Sequence, residues 1–324
     1  MRGVLALVVA MIVLWGGYWF AGSRGLERGA TAWVEAQRAA GAQIQHGGIT
    51  VGGFPGRFDL SVTDPQIADP ATGLSWRAPE MQIFALAYKP WHVIAAFPPE
   101  QTFATPAGEI TLRSEGLRAS LVVEPGSALT LERLRLSGTE LGLTSALGWM
   151  VTADELRLAT RQVSPGGAEH ELGIDILGLT PDAAVLAAVP ELPPVIETVH
   201  LDAIGTFSAP LDRHAGQTAP ALQALQIKDL RLVWGDLSLS GQGTIRADDQ
   251  GLASGQIDLA LTNWRKAVPL LVALGFTTPE VAPTWENALA YLAAGSDDLA
   301  LPLTYRNGRA SLGPIPLGPA PALR

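Results

Sequence analysis

The chain of 324 residues contains no cysteine. That removes disulfide stapling, thiolate catalysis, thiolate zinc sites and the lipid-bearing cysteine of a bacterial lipoprotein. Lysine is almost missing as well: only Lys89, Lys228 and Lys266 occur, and none is followed by Ser or Thr as a phosphate-cradling loop requires. Positive charge is the minority, 22 Lys and Arg against 31 Asp and Glu for a net charge of −9. An acidic body is repelled by phosphate backbones, so nucleic acid is excluded as an expected partner. There is no G-x-S-x-G elbow and no S-x-x-K to activate a serine. His46, His92, His170, His200 and His214 form no H-E-x-x-H and no pair spaced for one helix face. The best acid–imidazole group, His200 with Asp202 and Asp212 with His214, is read as solvated loop residues. No cofactor, metal or catalytic residue is expected, although two carboxylates working as acid and base would leave no mark in sequence.

What is present points to a membrane and to strands. Hydrophobic residues make up 48% of the chain, enough for a sizeable core, and 35 glycines with 24 prolines suit a fold of many strands and turns. The run "VLALVVAMIVLWGGYWFA", residues 4–21, opens at Val4, closes at Ala21 and holds no charge. As a helix it spans about 27 Å, close to the hydrocarbon thickness of a bilayer. Trp15, Tyr18 and Trp19 gather at its end, where amphipathic rings prefer the headgroup level. A cleaved signal peptide would have a shorter apolar region and a small-x-small site, and the one such site, Ala21-Gly22-Ser23, is crowded by aromatics. An uncleaved span is expected, with the short tail on the cytoplasmic side and the body in the periplasm.

Residues 1–22 are thus read as tip and transmembrane anchor and 23–46 as a membrane-proximal helix, since "RGLERGATAWVEAQRAAGAQIQ" is rich in helix formers and Gly47-Gly48 would end it. Residues 47–212 and 213–324 are read as two β-rich halves, the second carrying two helices and a C-terminal hairpin. Short alternating runs support this, as at Leu129, Leu131, Leu134 and Leu136 and again at Ile257, Leu259 and Leu261. Asn307-Gly308 in "LTYRNGRASLG" predicts a two-residue hairpin turn, and residues 248–251 the loop of another hairpin. Helices are expected in "LTPDAAVLAAVP", with Thr180 as N-cap, in "NWRKAVPLLVALGF" and in "TPEVAPTWENALAYLAAG". Leu134-Arg135-Leu136 with Leu141 and Leu143 echoes Leu230-Arg231-Leu232 with Leu237 and Leu239 at equal offsets, which repetition or chance would both produce. Residues 207–222 read as the linker, and the proline-rich end as an edge strand or extended tail.

The stretch "ITVGGFPGRFDL" interrupts a hydrophobic run and then resumes it. Bare glycine backbone assisted by Arg57 could approach an anion. The structural alternative is a corner: Gly52 and Gly53 allow a bulge, Pro55 fixes the bend, and Phe54 and Phe58 plug it. The corner is favoured, because strand period returns at once and no helix start follows. Trp76, Trp91, Trp149, Trp234, Trp264 and Trp285 are read as core anchors unless they share one groove.

"VGGFPGRFDL" shortly after an N-terminal span, the hairpin "SGQGTIRADDQGLASGQIDLAL" and the ending "LPLTYRNGRASLGPIPLG" together resemble the alphaproteobacterial membrane-anchored proteins of domain-of-unknown-function family 2125. The glycine-rich hairpins are also similar to those of AsmA-like envelope proteins, whose strands form curved sheets with an apolar trough for lipid. The resemblance implies location and architecture and transfers no site. The expected fold is mainly β (α+β), a strongly curved antiparallel sheet with a few packed helices behind a transmembrane helix. The expected function is a non-catalytic binding or structural role at the bacterial inner membrane, with acyl chains held on an apolar concave sheet face. The alternatives are a periplasmic scaffold binding another envelope protein and a hydrolase using paired carboxylates.

Overall fold

The apolar run and the alanine-rich run after it form one helix, α1 (Arg2–Ala39), of 38 residues. It is the one helix among the described residues long and apolar enough to cross a membrane, and its apolar window is almost wholly exposed. The helix stops before Gly41, which takes φ 103°, and not at Gly47-Gly48. Arg38 donates to the Ile44 carbonyl at 2.9 and 2.7 Å, closing the turn that sends Ile44 into a strand. The structure, a computed structural model, describes residues 1–215 and 219–323. With 52% of residues in strands and few helices, the protein is mainly β and its sheet is antiparallel.

Two compact units result: Met1–Val122 with Gly142–Gly148, and Val123–Leu141 with Trp149–Arg324. In the first, α1 is followed by β1 (Gln43–Gln45), β2 (Gly48–Gly52), β3 (Arg57–Thr63), β4 (Gln66–Asp69), β5 (Leu74–Arg77), β6 (Glu80–Leu86), β7 (Lys89–Ala96), β8 (Glu100–Thr105) and β9 (Gly108–Val123). The pairings show that these are five long strands, four of them broken at mid-length. On one side of the breaks β2 pairs with β3, β3 with β6, β6 with β7, and β7 with the end of β9. On the other side β1 pairs with β4, β4 with β5, β5 with β8, and β8 with the start of β9.

The breaks fall at Gly47, Asp64-Pro65, Ala78-Pro79 and Pro98-Pro99, and the fifth strand takes φ 59° at Gly116 opposite them. They are neighbours across the sheet: Gly47 N donates to Thr63 O at 2.7 Å, Asp64 N to Pro79 O at 2.9 Å, Ala78 N to Pro65 O at 3.1 Å, and Phe97 N to Leu117 O at 3.0 Å. Proline cannot donate to a ladder and a φ of 46° at Asp64 leaves the β region, so each strand must bend where its neighbour bends. The result is a fold line running across the sheet.

The second unit contains β10 (Leu131–Ser145), whose last residues belong to the first unit, then β11 (Met150–Gln162), β12 (Glu169–Leu179), α2 (Ala183–Ala188), β13 (Ile196–Phe207), β14 (Leu222–Trp234), β15 (Leu237–Ala247), β16 (Ala253–Thr262), a 3₁₀ turn at Trp264–Lys266, α3 (Ala267–Ala273), α4 (Ala282–Ala293), β17 (Asp298–Arg306), β18 (Arg309–Leu312) and β19 (Ile315–Pro319). From β11 to β19 every strand pairs with its successor. The period-2 pattern therefore stacks into rows. One runs Leu156, Ile176, Val199, Leu232, Leu239, Leu261, Leu299, and beside it lies Leu158, Ile174, Leu201, Leu230, Gly241, Leu259, Leu301. The other face carries Arg157, Asp175, His200, Arg231 and Ser240. At one end the apolar rows are covered by helices: Trp264, Val268, Leu289, Leu299 and Leu301 form one buried cluster, and Val189, Ile196, Trp234 and Leu237 another.

Several expectations change. The boundary expected at residue 212 separates β13 from β14, which pair from Thr198 with Val233 to Phe207 with Leu222. The expected linker therefore falls between neighbouring strands, Phe207 ending β13 and Leu222 opening β14; its residues 216–218 lie outside the described residues. The α2 N-cap is Asp182, accepting from Ala184 N at 2.9 Å, because Thr180 is held in a bridge to Thr152. The internal echo is not a repeat: Leu134 to Leu143 lie on the single strand β10, whereas Leu230 and Leu239 sit on two strands reversed at Gly235. Asn307 and Gly308, at φ 53° and 70°, make the turn that pairs Arg306 with Arg309. The end of the chain forms the edge strand β19, with a register shift at Ala310 and Ser311.

Candidate functional site

The first unit holds both the seat of α1 and an apolar cavity. The seat is built from the glycine and aromatic motif of residues 52–58. Gly52 ends β2, Phe54, Pro55 and Gly56 turn the chain, and Arg57 opens β3, so the motif reverses the chain between paired strands. The β2–β3 register is continuous, so the expected bulge is replaced by a hairpin loop. Gly53 makes it possible: at φ 94°, a Cβ there would sit 2.9 Å from the Arg57 carbonyl.

Three α1 side chains bind this loop and the one after β6. Trp15 Nε1 donates to Pro55 O at 2.9 Å, Trp19 Nε1 to Arg57 O at 2.7 Å, and the Tyr18 hydroxyl to Ala87 O at 2.6 Å. Trp19 meets Phe54 edge-on at 5.3 Å and stacks on Phe58 at 6.1 Å, and Trp19, Phe58 and Ala87 form a buried cluster. Gly22 lets the helix approach, since a Cβ would lie 2.7 Å from Phe58 Cζ. No anion cradle results: Arg57 pairs with Asp59 at 2.9 Å.

Beyond the seat, α1 forms one wall of a half-open cavity of about 590 Å³. Ala30, Trp33 and Val34 supply the helix wall. Ile49, Leu60, Val62, Met81 and Ile83 come from one side of the line, and Ile44, Ile67, Trp76 and Phe103 from the other. Because each strand alternates, bending the sheet turns one apolar face on itself, so the two sets meet across a hollow. The size lies within the range of small-molecule sites. Among the lining residues His46 alone is titratable, and the remaining polar ones are Gln45 and Gln101. Gln101 is 3% exposed, and its Oε1 accepts from Trp76 Nε1 at 3.0 Å. Its Nε2 and the Nδ1 of His46 are buried without a hydrogen-bond partner. The arrangement can hold an apolar body with one or two polar contacts; it has no carboxylate pair for acid–base work.

The tryptophans divide. Trp76 lines the cavity, while Trp234 and Trp264 are core anchors at 2% and 1% exposure. His200 does not meet His214; it bonds Asp175 at 2.6 Å on the polar sheet face of the second unit, with Asp229 at 3.8 Å. His214 instead caps its own loop through Asp212. Among the described residues no group of three or more His, Asp or Glu could hold a metal ion. Gln101 and the closeness of α1 to this cavity leave no mark in the sequence, and His46 stands there only as one of five scattered histidines. The prolines at 65, 79 and 98–99 were the available signal, marking three of the four broken strands at a common level.

The class these features define is a mainly-β protein with an N-terminal helix fit to span a membrane and an apolar cavity against that helix. The chain belongs to the family described as uncharacterized protein conserved in bacteria, DUF2125, which matches residues 19–321. No curated protein matches it.

Proposed function

We propose that this protein is held in the bacterial inner membrane by residues 4–21, with its body in the periplasm, and that the cavity of the first unit accepts an acyl chain. The observation carrying this is the cavity: about 590 Å³, apolar almost throughout, and walled by the same helix that carries the span. Ala30 follows Ala21 by nine residues, about 14 Å of helix, so the cavity begins within reach of the bilayer surface. Trp15 belongs to the aromatic cluster that ends the apolar run, and its bond to Pro55 holds the 52–58 loop beside that end of the span. Exposed Phe54 and Tyr88 then fall at headgroup level, where aromatic side chains are favoured. The role is binding without chemistry.

The test is the lipid that purifies with the full chain in detergent, identified by mass spectrometry after solvent extraction. Wild type is expected to retain lipid that an Ile83→Trp chain, its cavity filled, does not. Equal lipid on both folded chains would sink the proposal. Topology is tested separately by a reporter fused after Arg324; activity of a cytoplasm-only reporter would overturn the periplasmic placement.

A second reading, a scaffold for another envelope protein, is favoured by Leu274, Phe276, Val281 and Tyr291, exposed at 56%, 73%, 44% and 87% around α3 and α4. Its test is the native size of the complex in detergent extracts. Loss of mass in a Phe276→Asp, Tyr291→Asp chain supports it, and a wild-type size equal to the free chain refutes it.

A further inference from the structure

The cavity contains an amide whose orientation is fixed and whose donors have nothing to bind. An indole N–H can only donate, so the Gln101 group facing Trp76 Nε1 at 3.0 Å must be the oxygen. The two N–H donors of Nε2 are thereby turned away from Trp76, and they lie buried with no partner on a side chain 3% exposed. Buried donors are normally satisfied, and one left open in a binding cavity marks where a ligand acceptor belongs. His46, whose Nδ1 is also buried and unpaired, lines the same hollow.

We infer that the cavity selects a neutral carbonyl on an apolar chain, an acyl ester of a membrane lipid, with the carbonyl oxygen accepting from Gln101 Nε2. This rests on the acyl-chain reading above and names which part of the lipid is recognised. Charge decides the class. No Arg or Lys is among the residues lining the cavity, so an ionised carboxylate or phosphate would lose its water without gaining a counter-ion. A plain alkane would leave the amide donors open. An ester carbonyl supplies the acceptor and carries no net charge.

The experiment uses the full chain in phosphatidylcholine nanodiscs and two photoreactive probes of equal length, a diazirine-bearing hexadecanoic acid methyl ester and a diazirine-bearing hexadecane. Labelling of peptides covering residues 44–49 and 97–103 is measured relative to labelling of residues 4–21, which corrects for partition into the bilayer. Wild type is expected to favour the ester about tenfold, the effect of one buried hydrogen bond. Gln101→Leu removes the donors at similar volume; it should cut ester labelling about tenfold and leave the alkane unchanged. Gln101→Met, with near-UV circular dichroism to verify folding, should give the same result. Equal labelling of wild type by both probes, or an ester preference that survives both substitutions, overturns the inference while leaving the acyl-chain reading intact. Absence of cavity labelling by either probe defeats that reading as well.

Discussion

The approach of α1 to Phe58 gives a prediction whose sign depends on geometry and not on propensity. Replacing a helical glycine by alanine normally stabilises by roughly 0.5–1 kcal/mol, because alanine loses less conformational freedom on folding. Gly25 has nothing within 4 Å of a Cβ, so Gly25→Ala should show that gain. At Gly22 the added methyl would meet Phe58 Cζ at 2.7 Å and Cε1 at 3.2 Å. The ring cannot swing away cheaply, being 6% exposed and held against Trp19 and Tyr18. Overpacking of this kind costs about 1–3 kcal/mol. Gly22→Ala should therefore be less stable than Gly25→Ala by roughly 1.5–4 kcal/mol when the propensity gain is lost to the clash. The assay is thermal unfolding of the full chain in detergent followed by tryptophan fluorescence, where each kcal/mol shifts the midpoint by roughly 2–4 °C. Phe58→Leu, which removes the ring tip, should narrow the gap. Equal midpoints for the two alanine variants would refute the docking of α1 on the 52–58 loop.

His170 is fully buried, meets Phe207 edge-on and is held by Thr160 at 3.2 Å, and burial lowers its pKa below the ordinary 6.5. The folded chain then binds fewer protons than the unfolded one, so its contribution is complete above pH 6.5 and shrinks as pH falls below that value. Unfolding midpoints at pH 7.5 and 5 should differ more for wild type than for His170→Gln, and equal differences would rule out this linkage. Asn307→Val places a β-branched residue at φ 53° and should cost about 1–2 kcal/mol, whereas Asn307→Gly should be near neutral; denaturant midpoints separate the two. Trp264→Ala removes a side chain 1% exposed and bonded to Ser296 O at 3.2 Å. A loss of roughly 3–5 kcal/mol is expected, and a loss below 1 kcal/mol would mean the α3–α4 cluster is not a core.

How much of this was legible follows from which signals are local. Asn307-Gly308 and the alternation at Leu230, Leu232, Ile257, Leu259 and Leu261 need only neighbours along the chain, and the antiparallel rows of the second unit are their direct product. The apolar helix was equally plain in composition, and the family resemblance rested on turn motifs. What stayed hidden needs register. Pro65, Pro79, Pro98 and Pro99 each read as an ordinary strand end, and they become one bend only because the strands pair with their breaks in line. A shift of one strand by two residues would keep every side chain on its face and still misalign the line. The cavity is thus a product of alignment. Gln101 was invisible for the same reason: in sequence it is one more polar residue of an edge-like strand, and only the pairing of Arg77 with Thr102 brings Trp76 beside it, turns its amide and leaves its nitrogen buried without a partner. The glycine motif failed differently. A hairpin loop and a bulge call for the same residues, Gly52, Gly53 and Pro55, and what decides between them is Ala87 and the α1 aromatics, which lie far away in the chain. A sequence pattern could place the bend there, but the physical reason for its aromatic content is the helix it receives.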